Sequence, residues 1–181
     1  MCGVVGISTR DEKFIDTALK QLRHRGPDGA GKYIDASISL GHTLLAITSD
    51  PKLGQQPYKT ARGNILVYNG EIFNYDDLLV KYTQFKPRTT CDTELLAWGL
   101  DHYGMDFVEQ IDSQHAFVYY DTQKQKLYLS RDHVGIKPLY YAEIQEGIVF
   151  ASEIEPLRSR VNKSNIIDPV AHSSWSLLGV N

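Results

Sequence analysis

Met1-Cys2-Gly3-Val4-Val5-Gly6-Ile7 opens the chain. Val4, Val5 and Ile7 belong to a first short strand, and Cys2 stands at its start. The small Cys2 side chain and the glycine after it favour removal of Met1. One residue would then carry both a thiol nucleophile and a free α-amine, which titrates near ~7.7–8.0. That amine can activate its own thiol, directly or through one water. The alternative is that Cys2 is a small buried hydrophobe beginning an edge strand. Position alone leaves both readings open, so the rest of the chain must decide.

Working outward from this strand, Phe14, Ile15, Ala18, Leu19 and Leu22 recur at helical spacing and predict an amphipathic helix. Arg23-His24-Arg25-Gly26-Pro27-Asp28-Gly29 ends it with turn formers. Strands are predicted over 31–34, 38–47 and 65–68, and a short helix over 75–82. A longer helix begins near Asp92, read as its N-cap, and runs through Leu95, Leu96, Trp98, Leu100 and Tyr103. Hairpin-like strands follow over 116–121, 126–131, 139–143 and 148–151. Many strands joined by short turns, with a few helices between them, predict a mostly antiparallel α+β fold. From Arg160 onward the residues read as a weakly specified tail.

The 181 residues suit one domain with a real core. A formal charge of −3 and the absence of a Lys/Arg cluster argue against a nucleic-acid partner. Two cysteines are too few for a disulfide framework and suit a reducing compartment. The first apolar run is too short for a signal-peptide core, and no stretch approaches the roughly 20 apolar residues of a membrane span. A cytoplasmic protein without membrane contact is expected. The six histidines show no ligand spacing with Cys or Asp, so neither a metal nor another cofactor is expected.

Three further segments could carry chemistry. Tyr68-Asn69-Gly70-Glu71-Ile72 follows an apolar strand, and its Asn-Gly pair reads as a type I′ turn. An Asn side-chain N–H and a Gly backbone N–H are also the donors a tetrahedral oxyanion needs. In Thr90-Cys91-Asp92-Thr93-Glu94, Asp92 either caps a helix or turns its carboxylate to a cleft, where it could hold a ligand's ammonium. The run from Arg131 through Asp132, Gly135 and Lys137 to Tyr141 reads as an internal hydrogen-bonded brace. His115 reads as a satisfied core histidine.

Together these segments resemble class II glutamine amidotransferase domains. Met1-Cys2-Gly3, Arg23-His24-Arg25-Gly26-Pro27-Asp28, Asn69-Gly70-Glu71-Ile72-Phe73-Asn74 and 90–94 come in that family's order. The 131–141 run and Ala151-Ser152-Glu153-Ile154 are similar to its asparagine synthetase branch. The resemblance implies a four-layer αββα N-terminal-nucleophile hydrolase sandwich over residues 1–158. Residues 159–181 resemble the start of a linker to a synthetase domain, whose Ser-Gly-Gly-x-Asp-Ser phosphate loop is not found in the 181 residues. It also implies that Cys2 attacks the glutamine side-chain amide while Asn69 and Gly70 bind the oxyanion. Asp92, helped by Glu71, would hold the α-ammonium, with Ile47 and Thr48 lining the pocket. Arg25 and Asp28 would brace the loop beside the nucleophile. The expected partners are a small-molecule amide and a synthetase acting in trans, and a homodimer is left open.

One departure stands out. In Gly41-His42-Thr43-Leu44, Leu44 takes the place of the arginine that in relatives grips the glutamine α-carboxylate. Losing one partner of a largely buried ion pair costs about 3–5 kcal/mol. At about 1.4 kcal/mol per decade, that is roughly two to three and a half decades of binding. Arg62, Arg88 and Lys52 are the cations that could substitute. Two other readings therefore stand beside a glutaminase. One is a non-catalytic descendant that binds a ligand or partner. The other is an amidohydrolase for an amide lacking a free α-carboxylate.

Overall fold

The computed structural model describes residues 1–47 and 53–161. Thr48 and Lys52, and the expectations placed on the tail beyond 161, lie outside the described residues. The chain runs β1 (Gly3–Ile7), α1 (Glu12–Gln21), β2 (Gly29–Ile34), β3 (Ser39–Leu44), β4 (Tyr58–Lys59) and β5 (Ile65–Ile72). Then come α2 (Tyr75–Lys81), α3 (Asp92–Tyr103), a 3₁₀ turn (Gly104–Gln110) and β6 (Ser113–Asp121). β7 (Lys126–Arg131), β8 (Tyr140–Ile144), β9 (Gly147–Ala151) and α4 (Ile154–Leu157) complete it. The strands form two antiparallel sheets, ordered β2-β3-β1-β9-β8 and β4-β5-β6-β7.

Period-two alternation along the central strands builds three apolar layers between four structural ones. Val5 and Ile7 of β1 and Val149 and Ala151 of β9 point outward onto Phe14, Ile15 and Ala18 of α1. Val4, Phe150, Val67 and Val118 point the other way and fill the space between the sheets. Leu66, Tyr68, Phe117 and Tyr119 cover the far face of the second sheet, against Leu95, Leu96 and Leu100 of α3 and Leu78 of α2. This is the expected αββα sandwich. Asp11 starts α1 by accepting the Phe14 N–H at 2.8 Å, and the helix buries the face that the sequence spacing predicts.

Three expectations are corrected. β1 is not an edge strand, because β3 and β9 flank it and all five of its residues are buried. Asn69-Gly70 is not a turn: β5 runs on to Ile72, with Asn69 opposite Ala116 and Gly70 opposite His115. Asp92 is not the N-cap of α3 but its first residue, and Cys91 occupies the cap without a side-chain bond. Tertiary pairing with the long β6 overrides the local turn preference of Asn-Gly.

Candidate active site

Cys2 lies at the mouth of the central strand, where β1 and β3 part. Its sulfur accepts the Leu45 N–H at 3.4 Å and lies 3.8 Å from the Leu45 carbonyl. Burial pushes the thiol up, opposed by the Leu45 hydrogen bond and by the charges of the chain's terminal amine, Lys137 and Arg25. Arg25 braces the residue from behind: Nε donates to the Cys2 carbonyl at 3.1 Å, and Nη1 pairs with Glu153 at 3.0 Å. Glu153 also meets His24 Nε2 at 2.8 Å. Asp28 accepts the Ala46 N–H at 2.8 Å and so fixes the segment that carries Leu45.

The second sheet supplies the facing wall of a cleft of about 150 Å³ that contains Cys2, Asn69, Gly70, Glu71, Cys91 and Asp92. Asn69 is buried, and its side-chain N–H₂ has no hydrogen-bond partner among the described residues. A buried amide donor left unpaired costs roughly 1–3 kcal/mol, so a ligand oxygen is the natural acceptor. Gly70 must lack a side chain, because a Cβ there would run into the Tyr68 ring and the Gln114 carbonyl. Asp92 accepts from the Tyr68 hydroxyl at 2.9 Å and the Ile72 N–H at 3.1 Å. Burial raises its pKa, opposed by those two bonds, and the nearby Glu71 carboxylate raises it further. A cation beside Asp92 would relieve both effects.

Leu44 is 7% exposed and lines the same cleft, as does Ile47, which is 79% exposed at its rim. Neither described candidate cation reaches this cleft. Arg88 pairs with Glu94 at 2.8 Å and lines a separate recess of about 320 Å³ beside α3. Arg62 lines another recess, of about 350 Å³. His115 is satisfied in the core, with Nδ1 2.8 Å from the Ser113 hydroxyl and Nε2 3.0 Å from that of Ser130. Among the described residues, no group of His, Cys, Asp and Glu is placed to hold a metal ion. None of the described helices is long and apolar enough to cross a membrane.

A family model for the glutamine amidotransferase domain matches residues 1–178. The chain belongs to that family. This amidotransferase domain is 35% identical to asparagine synthetase [glutamine-hydrolyzing] 2 of Bacillus subtilis over 88% of its length, and 36% identical to the rice protein of that name over 86%. It spans only 22% and 26% of those two relatives. Among solved structures, glutamine phosphoribosylpyrophosphate amidotransferase from B. subtilis superposes on 87% of the domain with a TM-score of 0.74 at 20% identity, covering 43% of that chain. The likeness confirms the αββα sandwich.

Sequence reasoning missed several residues of the cleft, Lys137, Cys91 and Gln56 among them. Lys137 and Cys91 line it, although both fall in segments singled out for other reasons. Gln56 also lines it and clasps Tyr68, taking its N–H at 2.6 Å and giving an N–H to its carbonyl at 3.1 Å. A lysine inside a tightly braced turn was a signal for the first. Nothing local marks Gln56, whose partner is distant along the chain.

Proposed function

We propose that the domain hydrolyses the side-chain amide of glutamine to glutamate and ammonia, with Cys2 as nucleophile once Met1 has been removed. The thiol proton passes to the Cys2 α-amine as sulfur attacks the amide carbon. The oxyanion that forms is bound by the Asn69 side chain and the Gly70 N–H. The protonated amine then delivers its proton to the leaving nitrogen, and ammonia departs. Water hydrolyses the remaining γ-glutamyl thioester, which regenerates the thiol. Asp92 takes the substrate ammonium, with Glu71 beside it. Ile47 borders the pocket, while Arg25 and Asp28 hold the nucleophile loop. The acceptor of the ammonia is a synthetase active site, either in trans or in further chain beyond a domain of residues 1–158. The observation that carries this reading is the buried Asn69 amide, unpartnered among the described residues, in the same cleft as Cys2.

Leu44 favours a second reading, in which the substrate is an amide without a free α-carboxylate, because an apolar side chain there offers such a group no partner. Glutamine and glutaminyl amides tested side by side for ammonia release separate the two readings. The purified chain is first weighed intact to establish that Cys2 is the N-terminus. Cys2→Ala should abolish release, and Asn69→Ala should lower kcat by about 10²–10³. Unchanged turnover in Cys2→Ala would refute a cysteine mechanism, and no turnover of either amide by the wild type would leave a binding protein.

A further inference from the structure

Among the described residues lining the cleft, Lys137 is the only lysine or arginine, and the mechanism above does not use it. It is half-buried, it lines the cleft that holds Cys2, and among the described residues its ammonium has no carboxylate partner. An ordinary lysine on a solvated turn would be tethered only by its own flexible stem. Here the backbone beneath it is pinned. Asp132 accepts the N–H groups of Ile136 at 2.8 Å, Lys137 at 3.0 Å and His115 at 3.1 Å. The Gly135 N–H donates to the Asp132 carbonyl, and Arg131 donates to the Gly135 carbonyl at 2.8 Å. Gly135 has φ +72°, so the turn needs glycine. A rigid base of this kind holds the root of a free cation at the reacting end of the cleft.

We propose that Lys137 is the fixed positive charge that favours the reactive, deprotonated sulfur of Cys2. It exchanges no proton and touches no reacting atom; it acts through Cys2. The other charges around the sulfur do not replace it. Arg25 is neutralised by Glu153 and spends its Nε on the Cys2 carbonyl. Glu71 and Asp92, across the cleft, oppose a thiolate, and the neutral Cys91 thiol contributes no charge. Among the described residues Lys137 is thus the cleft's side-chain cation without a carboxylate partner, and the Cys2 thiol feels its field beside those of the terminal amine and Arg25. A positive charge here lowers the cost of thiolate, which suits a sulfur that must attack.

This rests on Cys2 being the nucleophile, but its test does not require glutamine turnover. The rate of iodoacetamide modification at Cys2 is followed against pH on the purified chain, with peptide mapping to separate Cys2 from Cys91. Lys137→Met should move the midpoint to higher pH and slow modification about threefold to tenfold near neutrality, the range expected of one partly screened charge. Lys137→Arg should restore the wild-type profile, and 1 M salt should shrink the difference. A Lys137→Met profile that coincides with wild type at low salt would overturn the assignment. If the shift appears while no amide is turned over, this inference stands and the proposed hydrolysis fails.

Discussion

Leu44 and Asp92 make opposite demands on a ligand in the cleft. Asp92 is a half-buried carboxylate with hydrogen bonds but no cation among the described residues, whereas Leu44 is an apolar wall that offers a carboxylate no partner. The two cavities that Leu44 borders leave room for a longer side chain. Leu44→Arg should therefore lower the KM for glutamine by roughly 10- to 100-fold, since a restored ion pair contributes uniform binding. The value of kcat should change little, because the carboxylate lies away from the reacting amide. Steady-state ammonia release measures both; an unchanged KM would mean that the α-carboxylate is held elsewhere. At this scale the sequence was legible only in part. Cys2, Asn69, Gly70 and Asp92, which the fold brings into one cleft, could be singled out because each has a chemistry that few residue types share. Gln56 was not, because its role is set by a contact with Tyr68 that no local pattern encodes.

Turns and strands carry the next level of control. The 131–137 turn is an element whose geometry hangs on one carboxylate, Asp132, which its backbone partners hold down to about 2 despite partial burial. Its folded pKa lies below the ordinary 3.8, so its contribution is fully present above about pH 4 and is lost as the pH falls toward 2. Asp132→Ala should destabilise the protein by about 1–3 kcal/mol at neutral pH, the cost of leaving its N–H partners unpaired. Urea unfolding at pH 7 and pH 3 checks this, since the gap to wild type must narrow at the lower pH. The brace was legible as a dense polar run, and so were the apolar strands and helix faces. β5 was legible only as far as Tyr68. Beyond it Asn69-Gly70 imitates a turn, and only the eight-residue register with β6 shows that the ladder continues. The first strand was read correctly as a strand, but not its place between β3 and β9, because strand order is a property of pairing.

Across the whole molecule, His42 reports how dry the inter-sheet region is. It is fully buried on β3, donates from Nε2 to the Tyr68 carbonyl at 3.1 Å, and has its pKa lowered by burial to about 4. The unfolded chain takes up a proton near 6.5 that the folded one refuses, so stability is highest above that pH and falls as the pH drops from 6.5 toward 4. The slope approaches about 1.4 kcal/mol per pH unit inside that window. His42→Gln should flatten this part of the pH–stability curve relative to wild type, whatever it does to stability at pH 7. Identical slopes between pH 6.5 and 4.5 would show that His42 is hydrated or paired.

Cys2 and Asn69, proposed as nucleophile and oxyanion donor, belong to different sheets, Cys2 at the mouth of β1 and Asn69 on β5. What sets the gap between them is the filling of Val4, Phe150, Val67 and Val118, none of which can touch a substrate. The thickness of the sandwich is therefore a kinetic quantity as well as a structural one. Shaving this middle layer would let the two sheets settle closer or tilt, so the loss would surface in turnover before the protein came apart.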